Sequence, residues 1–97
     1  MELDGFDWDD ANRAKCQKHG VSIGEIEHLF ERTVLIGPDV VHSSAEQRFR
    51  AIGVTHTGRH VFLVFTWRIK DGRRFLRPIS ARYMHRKEVA SHEKEIP

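Results

Sequence analysis

Cysteine occurs once in these 97 residues, at Cys16, which excludes an internal disulfide and any multi-cysteine metal site. No apolar run approaches the ~20 residues that a bilayer-spanning helix needs. The chain opens with Glu2, Asp4, Asp7, Asp9 and Asp10, the opposite of a cationic secretory signal, so a cytoplasmic protein is expected. Repeats, linkers and low-complexity stretches are lacking too, which leaves one domain over residues 1–97 with room for one core. An active site on so small a body has to be shallow and solvent-exposed, which suits a polymer better than an enclosed small molecule. Histidine is plentiful, but of positions 19, 28, 42, 56, 60, 85 and 92 only His56 and His60 are four apart, and they straddle a turn. No metal or other cofactor is expected. Ser43-Ser44 lacks the strand–turn–helix setting of an activated serine.

What the chain does have is a lopsided charge. Residues 48–97 carry 12 Lys/Arg against 4 Asp/Glu, a net +8, while residues 1–47 carry 4 against 10, a net −6. A total of +2 conceals this split. The distribution predicts a cationic surface built from the C-terminal half, and such a surface attracts phosphates.

The pattern predicts an α+β fold. Leu3 to Trp8 reads as a short strand weakened by Gly5. Asp9 is a candidate N-cap for a helix from about Asp10 to His19, with Gly20 as its stop. Ser22 and Glu25 form a capping box, and Ile23, Ile26, Leu29 and Phe30 recur at helical spacing, so a second helix completes an αα-hairpin. Thr33 to Ile36 is a strand ended by Gly37-Pro38-Asp39, and His42 to Ala45 is a loop. From Glu46 the period becomes two, with Phe49, Ala51 and Gly53 opposite Arg48, Arg50, Ile52 and Val54. Thr57-Gly58 and Asp71-Gly72 are hairpin turns around a central strand, His60 to Arg68. Phe75 to Ala81 is the last strand, in which Pro78 demands an edge or a bulge. A closing helix starts near Met84. The expectation is an antiparallel sheet of about four strands with these three helices.

Three groups of residues could carry chemistry. Lys18-His19 ends the first helix, where negative charge favours cations and His19 could contact phosphate or move a proton. Glu46 and Arg48 lie two apart on one strand, with Arg50 beyond. A carboxylate beside a guanidinium and an imidazole suits RNA cleavage by the 2′-hydroxyl, which needs proton removal, stabilisation of charge on phosphorus and protonation of the leaving 5′ oxygen. Arg68, Arg77, Arg82, Tyr83, His85, Arg86 and Lys87 form a third set around the last strand. Trp8, Trp67 and Phe62 could stack on bases, but core packing is the simpler reading.

These pieces together resemble the BrnT family of bacterial toxins. The resemblance is carried by Phe6-Asp7-Trp8-Asp9, Lys18-His19-Gly20-Val21-Ser22, the Arg48 to Gly53 strand, and Ile79-Ser80-Ala81-Arg82 followed by Arg86 and Glu88. It implies a RelE-like ribonuclease fold and metal-independent RNA cleavage that blocks translation. By the resemblance Arg48 and Arg82 match recurrent arginines and Lys18-His19 a recurrent basic pair. Joined to the residue reading above, this makes His19, Glu46, Arg48 and Arg82 the candidate catalytic residues, and Lys18, Arg50, Arg68, Arg77, Tyr83, His85, Arg86 and Lys87 the candidate RNA-binding ones. The implied partner is a ribbon-helix-helix antitoxin of the BrnA type, whose complex with the toxin binds operator DNA. The chain departs from the family pattern at Asn12, where many members carry Lys, and at Pro78, which replaces a β-branched residue. A non-catalytic basic module that docks an antitoxin and operator DNA is the alternative.

Overall fold

A computed structural model describes residues 3–95, without the side chain of Glu95. Glu2, counted with the acidic opening, lies outside them. The elements run β1 (Gly5–Phe6), α1 (Asp10–Gln17), α2 (Ile23–Leu29), β2 (Leu35–Pro38), β3 (Phe49–Val54), β4 (His60–Lys70), β5 (Arg73–Tyr83) and α3 (Arg86–Glu95).

Both N-terminal helices start where their caps dictate. The Asp9 carboxylate accepts the Asn12 N–H at 2.9 Å, and the Asp9 N–H donates to Asn12 Oδ1 at 2.7 Å. The Asn12 bond and the Arg77 guanidinium hold the Asp9 carboxyl below its ordinary range. Ser22 and Glu25 exchange the same pair of bonds on α2, each 3.0 Å. α1 ends two residues before the expected His19, because the Lys18 N–H already turns back to Lys15 O in a three-residue pattern. Gly20, at φ +92, then takes the left-handed conformation that lets α2 begin at once.

The sheet corrects the expected strand count. It has five strands in the order β1-β5-β4-β3-β2, and it is mixed. β2 to β5 form the expected antiparallel meander, with β4 central. β1 adds a parallel edge, Gly5 beside Phe75 and Phe6 beside Leu76. Two residues have too little pattern to announce a ladder; the partner lies some 70 positions away and supplies it. Asp71 at φ 52 and Gly72 at φ 73 make the tight turn between β4 and β5.

Pro78 sits inside β5, not at an edge, and a bulge accommodates it. Ser80 pairs with Val64 but Pro78 pairs with Phe65, so Ile79 is the extra residue. The Asn12 amide donates to Pro78 O and to Asp7 O, each at 2.9 Å. The two positions that depart from the family pattern therefore touch. α3 begins at Arg86, not Met84, because the Met84 N–H still bonds His60 O at 2.9 Å and extends the β4–β5 pairing.

The core lies between α1, α2 and one sheet face. Cys16, Val21, Ile26 and Leu29 meet Ala51, Val61, Leu63, Phe65, Leu76 and Ala81. Phe65 is its centre, stacked on Phe49 and edge-on to Phe30 and Trp67. Burial of side chains this size contributes about 1.5–3 kcal/mol each. Trp67 is thus packed, and Trp8 donates Nε1 to Glu27 at 3.0 Å. Burial pushes the Cys16 thiol up to about 11, which leaves it a packing group.

Candidate functional site

The split in charge does not survive folding intact. Acids of the first half pair with cations of the second: Asp7 with Lys70 and Arg77, Asp9 with Arg77, and Glu46 with Arg68.

The loop between β2 and β3 is tied shut at its base. The Asp39 N–H donates to Arg48 O at 2.9 Å, the Arg48 N–H donates to Ser43 Oγ at 3.0 Å, and Ser43 Oγ–H donates to Asp39 O at 2.6 Å. Thr66 Oγ1 on β4 adds a bond to Gln47 O at 3.0 Å. These contacts fix Arg48 at the entrance to β3. Within the same loop Asp39 is 5 % exposed and its Oδ2 lies 2.6 Å from His42 Nδ1.

Arg48 lines a shallow cavity of about 270 Å³ beside the Pro78 bulge. Its other walls include Lys15, Glu46, Arg68, Arg77 and Ile79. Glu46 Oε2 accepts from Arg68 Nη1 at 2.9 Å, and Arg77 Nη2 donates to Asp9 Oδ2 at 2.7 Å. Arg48 has no acidic partner among the described residues, and its buried Nε finds no hydrogen bond among them. A buried guanidinium N–H left unpaired is costly, and a bound anion or water would supply an acceptor.

Arg82 is differently placed. It shares a sheet face with Ile52 and Phe62, its guanidinium lies over the Phe62 ring, and both its terminal nitrogens donate to Glu88 of α3 at 2.8 Å. Arg50 and Lys87 line a separate groove of about 580 Å³ between α3 and the β2–β4 face, floored by Leu35, Ile52 and Phe62. Arg86 lines a third depression with Arg59 and His60. Tyr83 is on the core face, its hydroxyl donating to Glu25 Oε1 at 2.7 Å with Arg59 stacked on its ring. The His85 N–H donates to Glu88 Oε1 at 2.9 Å. Lys18 and His19 are exposed, past the end of α1, and neither lines these three cavities.

The structure therefore gathers Glu46, Arg48, Arg68 and Arg77, and it does not bring His19 or Arg82 into their cavity. The sequence reading had overlooked Lys15. Among the described residues no three His, Cys, Asp or Glu side chains stand where they could hold a metal ion. No helix of these residues is long and apolar enough to cross a membrane.

An open concavity walled by Lys15, Arg48, Arg68 and Arg77 is a surface of the kind that attracts phosphate groups. The family model described as the ribonuclease toxin BrnT of type II toxin–antitoxin systems matches residues 8–88, and the chain belongs to that family. It is thus a toxin of a type II pair, which implies an antitoxin partner. No curated protein matches the chain.

Proposed function

We propose that this toxin is a metal-independent endoribonuclease that cleaves RNA at the Arg48 cavity and so inhibits translation. The observation that carries the reading is Arg48 itself, a guanidinium with a buried, unpaired Nε in a cavity shared with Lys15, Arg68 and Arg77. Attack of a ribose 2′-oxygen on the adjacent phosphorus forms the O2′–P bond and adds negative charge to the phosphoryl oxygens. Arg48 neutralises that charge, with Arg68, Arg77 and Lys15 extending the grip along the backbone. The P–O5′ bond then breaks, leaving a 2′,3′-cyclic phosphate and a 5′-hydroxyl. Of the proton carriers the sequence nominates, Glu46 is engaged by Arg68 and His19 lies off the cavity. The fork to Glu88 gives Arg82 a structural task, the anchoring of α3.

The partner in this reading is a ribbon-helix-helix antitoxin of the BrnA type, and the pair binds operator DNA through that antitoxin. The test incubates purified toxin with end-labelled RNA, free and on translating ribosomes, with and without EDTA. Cleavage that survives EDTA, yields cyclic-phosphate ends and stops on addition of antitoxin is the expected result. Operator binding with no cleavage in either setting overturns the reading in favour of a non-catalytic module.

A further inference from the structure

The two helices of the N-terminal hairpin cover one face of the sheet, and the other face keeps an opening. Ala51, Leu63 and Ala81 point into the core. Leu35, Ile52, Phe62 and Arg82, paired in one row across β2, β3, β4 and β5, point the opposite way. Between that row and α3 runs the groove of about 580 Å³. Leu35 stands at its margin on the edge strand β2 and is 52 % exposed. Arg50 and Lys87 also line the groove, both exposed and both without an acidic partner among the described residues. Glu88, the acid among the lining residues, is already held by Arg82. An apolar floor rimmed by unmatched cations is the make-up of a protein–protein contact, with an apolar centre and a charged margin. It suits RNA less well. Leu35 and Ile52 give a base no ring to stack on, and the Arg82 guanidinium already lies 4.9 Å from the centre of the Phe62 ring.

We propose that the antitoxin docks in this groove through an acidic, apolar-anchored segment. Its aliphatic side chains rest on Leu35, Ile52 and Phe62, and its carboxylates meet Arg50 and Lys87. The proposal rests on membership of a toxin–antitoxin family, which supplies the partner, and not on the cleavage reading. Binding therefore tests it whether or not the toxin cuts RNA. Arg50 follows Arg48 by two residues, at most about 7 Å along an extended chain, so a partner gripping Arg50 comes that close to the Arg48 backbone.

The experiment titrates purified toxin with the full-length antitoxin encoded beside its gene, at low and high salt, with thermal unfolding alongside. Arg50→Glu and Lys87→Glu should each weaken binding about tenfold or more at low salt, and the loss should shrink at high salt. Leu35→Ser should weaken it about tenfold at either salt. Arg32→Glu, the same charge change at an exposed residue outside the groove, should leave affinity unchanged. All four positions are exposed, so the unfolding midpoints should stay near that of wild type. Contact is read directly by Leu35→Cys carrying a thiol-linked photocrosslinker, since the native Cys16 is fully buried and escapes labelling. The crosslinked antitoxin peptide should hold aliphatic residues flanked by Asp or Glu, and Arg32→Cys should capture none. Folded groove variants that bind the antitoxin as wild type does overturn the proposal, as does a crosslinked peptide without acidic residues. Variants that lose affinity for labelled RNA but keep it for the antitoxin make the groove a nucleic-acid face and overturn it too. A self-association of the toxin that Leu35→Ser abolishes, with antitoxin affinity intact, assigns the groove to a second copy instead. Wild type that forms no complex with the antitoxin overturns it outright, and leaves the cleavage reading to its own assay.

Discussion

Arg82 and Glu88 meet through two parallel hydrogen bonds, each 2.8 Å, that join the end of β5 to the first turn of α3. Beside that fork lies the groove floored by Leu35, Ile52 and Phe62, and the ion pair ties α3 to the sheet at its edge.

The fork makes α3 sensitive to acid. Bonds from Arg82 and from the His85 N–H bring the Glu88 carboxyl down to about 2 from an ordinary 4.5. A carboxyl depressed on folding stabilises the fold fully above its ordinary value and loses that contribution as pH falls toward the depressed one. The gap in urea midpoint between wild type and Glu88→Gln should therefore narrow from about pH 5 down to about 2. A double-mutant cycle on Arg82 and Glu88 at neutral pH should return a coupling of about 0.5–1 kcal/mol, in the range of partly exposed pairs.

Arg48→Ala should lower RNA cleavage by about 10²–10³ and relieve growth arrest at matched expression. Its unfolding midpoint should stay near that of wild type, since no folded-state partner is lost among the described residues. Arg82→Ala should instead loosen α3, which hydrogen exchange of the α3 amides would detect.

Tyr83 is the only tyrosine in the chain, so phenolate absorbance reports on it alone. Its bond to Glu25 raises its pKa above the ordinary value, against a smaller opposing pull from Arg59. Wild type should ionise at higher pH than free tyrosine, and Glu25→Gln should shift the titration downward. An unchanged titration in Glu25→Gln would show that the bond does not persist in solution.

Asn12→Ala removes the side chain that completes the α1 cap and bridges Asp7 O and Pro78 O. Leaving those partly buried groups unpaired should cost about 1–3 kcal/mol in denaturant unfolding.

Much of the scaffold is written in short-range chemistry. Asp9, Ser22 and Gly20 announce the helix ends by themselves, and strict alternation from Phe49 to Val54 orients β3 correctly. The Pro78 bulge follows from a residue that cannot donate. Other features depend on partners far away along the chain. β1 has two residues and acquires its direction from β5. The basic half looked free until Asp7, Asp9 and Glu46 folded onto it. Glu46 and Arg48 do line one cavity, but not as the strand positions expected: β3 starts only at Phe49, and the closed loop before it sets both. Lys15 joins them through a helix whose docking no local spacing encodes, and His42 acquires its carboxylate only when the loop closes.

Pairing of β1 with β5 carries a consequence for how the chain is made. Gly5 and Phe6 have no ladder partner until Phe75 and Leu76 exist, and Arg77 and Ile79, which wall the cavity opposite Arg48, belong to the same late strand. A polypeptide emerging from the ribosome cannot form this ladder until some 70 further residues have followed β1. The Arg48 cavity therefore cannot be complete before β5 has been synthesised and has docked between β1 and β4.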